Sequence, residues 1–162
     1  MNAGRPLETL GGVLLQGVVA GLAGTAAMTV SSTLEARLRR REASTAPARA
    51  AQRVLGIESF RSEEKQERFS TLVHWGYGTG WGVFRAAIGA VGLRPAVAGP
   101  VHFAAMWGGA LVMLPALDVA PPVTRWGRTE VAIDVFHHLV YSVVTGIAYE
   151  AVTPRTPTRT VQ

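Results

Sequence analysis

The sequence predicts an all-α fold: a four-helix transmembrane bundle with a cytoplasmic amphipathic helical connector between the first and second transmembrane helices. Three observations predict it. From Thr9 to Leu34 the chain runs 26 residues without a charge. At about 1.5 Å rise per residue, such a run crosses a hydrocarbon core of about 30 Å. Three further apolar stretches follow, at about 69–93, 95–117 and 130–152. Only 17% of the 162 residues are charged, against about 25% in a typical soluble domain.

The first segment, 9–34, is longer than the roughly 7–15-residue apolar region of a cleaved signal, and its basic cluster follows rather than precedes it. It reads as an uncleaved anchor, stopped by Glu35, Arg37, Arg39, Arg40 and Arg41. Gly17 and Gly21 form a GxxxG pair, extended by Gly24 and Ala27. A small-residue face lets a neighbouring helix approach to dispersion contact. Packing inside one chain is the expected use of that face; a second copy or another membrane protein is the alternative partner.

Residues 35–68 form the connector, with Ser44 or Thr45 as a helix cap, Pro47 in the first turn and a stop near Gly56. Ser62 is a second cap, with Glu63 and Glu64 in the turn after it, and that helix runs on into segment two, 69–93. Gly76, Gly78, Gly80 and Gly82 alternate as in a strand. A lone strand would leave its backbone unsatisfied in lipid, so a helix with a glycine-lined surface is expected. Segment three, 95–117, follows Arg94 directly, which makes segments two and three antiparallel neighbours. Segment four, 130–152, carries Asp134, and the Thr-, Pro- and Arg-rich tail 154–162 reads as disordered.

Orientation follows the positive-inside rule. With both termini outside, the inner loops hold eleven Lys/Arg and the outer side holds four: Arg5, Arg94, Arg155 and Arg159. The expected location is a bacterial cytoplasmic (inner) membrane, with the lipid bilayer as the first partner. The net charge of +5 sits beside the membrane segments without a nucleic-acid motif, so no nucleic-acid binding is expected. The chain has no cysteine, which excludes disulfides, thiolate metal sites and a cysteine nucleophile.

Ionisable side chains inside membrane helices cost about 2.5–3.5 kcal/mol on insertion scales and mark functional sites by default. Depth sorts them into two layers. His74, Asp134, His137 and His138 share the inner leaflet, level with Thr29, Ser31 and Ser32. Arg85, His102 and Glu150 form an outer polar layer. Arg85 and Asp134 differ in depth by about 16 Å, so Glu150 is the expected partner of Arg85. Asp134, His138, Tyr141 and Thr145 make one stripe on segment four, expected to pack on His74, Gly78, Trp81 and Arg85. A carboxylate beside an imidazole fixes its tautomer and raises its basicity, which suits proton binding or relay, or the holding of a small ligand.

Two cofactor readings compete. His74, Asp134 and His138 are ligand types for zinc or iron. His102 and Met106 match a haem axial pair by residue type, but two groups on one helical face cannot flank one iron, and His74 and His102 lie at different depths. Neither a metal nor a haem is assigned. A non-enzymatic protein is expected, with a membrane-embedded metal-binding protein or enzyme, or an accessory subunit of a membrane complex, as alternatives.

Three stretches carry a resemblance: Gly17 to Met28, Val73 to Gly82, and Asp134 to Tyr141. They resemble uncharacterised small polytopic membrane proteins of high-GC bacteria. More distantly, the glycine-rich first helix and the scattered histidines are similar to the YagU-like inner-membrane family. That family is associated with acid tolerance, so the resemblance implies a proton-related role and assigns no residue a mechanism.

Overall fold

The structure, a computed structural model, describes residues 10–42 and 44–153. These are all-helical: α1 Leu10–Arg39, α2 Ala46–Leu55, α3 Glu63–Ala90, α4 Pro95–Ala116 and α5 Arg128–Val152, with a 3-10 turn at Val123–Arg125 before α5. The expected tail, 154–162, lies outside the described residues, as do Arg5, Arg155 and Arg159.

Local chemistry sets the helix ends. In α1 the helix continues one turn past the apolar run, through Glu35 and Arg39. It stops where Arg40 turns left-handed (φ 53°) and the Arg41 N–H bonds back to the Ala36 carbonyl at 3.0 Å. In α2, Thr45 is the cap residue, Pro47 sits in the first turn, and Gly56 (φ 67°) closes the helix in the left-handed conformation that glycine adopts without strain. The Ser62 hydroxyl accepts from the Lys65 N–H and starts α3, which carries its acidic first turn without a break into the apolar stretch. Segment two therefore begins at Glu63 rather than 69 as a helix. It ends at Ala90, where Gly92 (φ 87°) opens the short turn to α4.

Three helices, α1, α4 and α5, are long and apolar enough to cross a membrane. In α3, the charged first turns, His74, Arg85 and many glycines lower the apolar content. The burial pattern is inverted relative to a water-soluble protein. The largest fully buried side chains are Arg85, Tyr141, His102, Thr25 and Thr145, whereas Leu10, Leu15, Leu72, Val112 and Ile147 are exposed. Water penalises such a surface, and lipid accommodates it.

Helix α1 lies between α3 and α5 and makes its most extensive contact with α3. Glycine explains the closeness. A Cβ on Gly17 would sit 2.5 Å from the Val83 Cα, and one on Gly21 2.8 Å from the Thr79 Cα. Gly82 faces the Gly21 backbone in return. The GxxxG face is therefore used inside the chain. The alternating glycines of α3 resolve by helical spacing: Gly78 and Gly82 meet α1, while Gly76 and Gly80 have open space. On its other side α1 meets α5, with Gly24 against Thr145 and Tyr141. Helix α4 closes the bundle against α5 and α3.

This contact predicts a paired outcome. Gly82→Leu should lower stability by at least about 1–3 kcal/mol, the usual cost of overpacking, or prevent folding. Gly80→Leu on the open side should stay within about 0.5 kcal/mol. Thermal unfolding in mild detergent distinguishes the two.

Candidate functional site

Hydrogen bonds within the helices decide what each buried histidine can do. The Thr29 hydroxyl donates to the Thr25 carbonyl at 2.7 Å, so its oxygen accepts from His74 Nε2 at 2.8 Å. The Ser31 hydroxyl lies 3.0 Å from the Met28 carbonyl and 2.9 Å from His137 Nδ1, and its one proton can serve either. His137 Nε2 is buried without a hydrogen-bond partner and lies 3.7 Å from Glu35 Oε2.

Glu35 is the hub of the end of the bundle where α1 stops. Its carboxylate accepts from Arg39 at 3.2 Å, from Arg41 Nε at 3.0 Å and from Arg41 Nη2. Arg39 also reaches Glu130 on α5, at 2.6 and 3.2 Å, which ties the ends of α1 and α5 together. Beside this network opens a cleft of about 560 Å³, lined by Glu35, Arg128, Thr129, Ala132, Phe136 and His137 among others.

The four inner residues expected to cluster are not brought together. Helix α1 separates His74, which bonds to Thr29, from His137, which bonds to Ser31. Asp134 turns toward α4 and accepts from Trp107 Nε1 at 2.8 Å. His138 Nδ1 donates to the Asp134 backbone carbonyl at 2.8 Å and lies 3.6 Å from the carboxylate. His137 is not the donor to Asp134; its Nδ1 is on Ser31. Among the described residues no group of three or more His, Cys, Asp or Glu is placed to hold a metal ion, so the set His74, Asp134 and His138 does not converge. The physical reason is the α1–α3 glycine contact, which draws α3 onto α1 rather than onto α5.

The outer layer is better connected. Arg85, 2% exposed, donates through Nη2 to Glu150 at 2.8 Å and lies 4.6 Å above the Tyr149 ring. The pair expected from depth is thus in contact. His102, fully buried, bonds through Nε2 to the Trp81 carbonyl at 3.1 Å. Its Nδ1 is therefore the acceptor for the Ser142 hydroxyl, also at 3.1 Å. The two polar stripes touch at Tyr141, whose hydroxyl donates to the Gly78 carbonyl at 2.5 Å.

Sequence reasoning missed Glu35, Trp107, Tyr149 and Ser142 as partners. Glu35 lies one turn after Ser31, so it shares that face of α1, a signal present in the spacing. Trp107 carried none, because an indole in an apolar helix is normally read as packing or as an interfacial anchor.

Comparison of the chain with known protein families, with curated proteins and with solved structures finds no match.

The Arg85–Glu150 pair yields a prediction. Glu150→Gln leaves a buried guanidinium without its counter-charge. Since Glu150 is 44% exposed, the loss should be about 1–3 kcal/mol rather than that of a fully buried pair. A double variant, Arg85→Leu with Glu150→Leu, should recover most of it. Chemical or thermal unfolding in detergent measures both.

Proposed function

We propose that this chain is a small, non-enzymatic, four-span protein of a bacterial inner membrane that binds protons at the cytoplasmic end of its polar interior through His137 and Glu35. Helices α1, α3, α4 and α5 are the spans, both termini are outside, and residues 35–68 face the cytoplasm. Including α3 is supported by its polar groups: His74 and Arg85 have partners within the bundle, Thr29 and Glu150. From Phe69 to Ala90 the helix rises about 33 Å, enough for a crossing.

The observation that carries the proton reading is the contact between the unpartnered His137 Nε2 and the Glu35 carboxylate at 3.7 Å. Adding one proton to the imidazole turns this contact into a charge-assisted pair. Histidine is the side chain that makes this change at ordinary pH. A cleft lined in part by Glu35 and His137 opens beside the site. His74 and His138 keep supporting roles: His74 holds α3 to α1, and His138 braces α5 beside Asp134. The resemblance to a family associated with acid tolerance points in the same direction.

Thermal unfolding of the purified protein, measured from about pH 5 to 8, tests this. The wild type should show a titration step that His137→Gln and Glu35→Gln both remove and His74→Gln retains. A step unchanged in His137→Gln would refute the assignment.

A further inference from the structure

At the opposite end of the molecule a lateral groove of about 690 Å³ runs between α4 and α5. Its walls are apolar, with Gly99 and Phe103 on α4 facing Leu139, Val143, Gly146 and Ile147 on α5. Gly99 and Gly146 have nothing within 4 Å of where a Cβ would stand, so the groove is open along both helices. From Leu139 to Ala151, both in its lining, α5 rises about 18 Å, more than half of a hydrocarbon core of about 30 Å. One acyl chain lying along α5 matches that length.

The groove also has a polar end. Arg85 and Glu150 both line it. Arg85 uses one N–H on Glu150, while its Nε and Nη1 are buried without a hydrogen-bond partner. A guanidinium offers five donors, and buried donors without acceptors are costly. The Glu150 side chain is half-exposed beside it. An adjacent cation and anion with no net charge complement a headgroup that itself carries both signs.

We propose that this groove is a specific site for one zwitterionic phospholipid with a primary amine. Its phosphate or ester oxygens accept from Arg85, its ammonium lies by Glu150, and one acyl chain lies between α4 and α5. This site is independent of His137 and Glu35, which lie at the other end of the bundle. A simple anionic lipid would compete with Glu150 for the guanidinium, and a quaternary amine cannot donate a hydrogen bond to the carboxylate.

Native mass spectrometry of the full chain tests this after exchange into vesicles of phosphatidylethanolamine, phosphatidylglycerol or phosphatidylcholine. The expected result is one retained phosphatidylethanolamine per chain, with retention of the other two weaker by about tenfold. Gly146→Leu puts a side chain into the groove at a position where an added Cβ meets nothing within 4 Å. It should lose the retained lipid while its elution profile and unfolding temperature are unchanged. Glu150→Gln should lose the preference for phosphatidylethanolamine and shift it toward phosphatidylglycerol, because the Arg85 guanidinium is then without its counter-charge. Equal retention of all three headgroups by the wild type would overturn the proposal, as would undiminished retention by Gly146→Leu. The chain lacks cysteine, so Gly146→Cys gives a clean single-site probe. Efficient disulfide cross-linking between copies would make the occupant a second chain and also overturn it.

Discussion

The backbone contact between α1 and α3 is the constraint on which the remaining structure depends. Gly17 and Gly21 on one helix and Gly82 on the other bring backbone against backbone. In a bilayer, burying apolar surface between helices brings little gain, because lipid tails are as apolar as leucine; dispersion at close range and hydrogen bonds must hold helices together. The glycines permit that range. They also bring α3 near enough for His74 to reach Thr29 and for Thr25 to fill the space opposite Gly78. Helix α5 then packs on the other side of α1, and α4 meets α3 and α5, with a smaller contact to α2. The open groove between α4 and α5 is a consequence: the tight contact was made elsewhere.

With small residues at the contacts, the interior has few large apolar side chains. Ala20, Ala86 and Tyr149 form the hydrophobic centre, with Val13 and Ala148 beside it. The remaining interior volume is filled by polar groups, and each then needs a partner. Most find one within the bundle: Thr25 and Thr29 bond to carbonyls one turn back, His102 spans Ser142 and Trp81, and Tyr141 reaches Gly78. Besides Trp81 Nε1 and Thr145 Oγ1, atoms of His137 and Arg85 lack a partner. They lie near the two ends of the bundle, beside a cleft and a groove, where something from outside the chain can reach them.

Much of this was legible in the sequence because lipid permits few alternatives. An uncharged run must be a helix with its backbone bonds closed, and the caps at Gly56 and Ser62 announce themselves by residue type. Depth arithmetic sufficed to pair Arg85 with Glu150, since two charges at one level of a membrane seek each other. The inner site was less legible. Depth and helical face placed His74, Asp134, His137 and His138 on one level, but they carry no information on which helix lies between two others. Only the packing order, with α1 in the middle, separates His74 from His137. Trp107 as the donor to Asp134 depends on how α4 rotates against α5, and α4 is apolar nearly all round, so no stripe fixes that rotation in advance.

On the proton-binding reading, the same geometry argues for holding a proton rather than passing it along the bundle. A relay needs an unbroken series of groups that both accept and donate. Moving outward from His137, Tyr141 lies one turn on, and its hydroxyl donates to the Gly78 carbonyl. A backbone carbonyl accepts a hydrogen bond and has no proton of its own to give onward. His102 likewise spends its Nε2 on the Trp81 carbonyl. The side chains that stabilise the middle of the bundle therefore close it to conduction, and they confine titration to the end where Glu35, Arg39 and Arg41 surround His137. Binding a proton there acts on the joint between α1 and α5, because Glu35 and Glu130 share Arg39. Drawing Glu35 toward a charged imidazole weakens its hold on that arginine. The expected consequence of protonation is thus a change in how these ends of α1 and α5 are joined, beside the connector that follows Arg41.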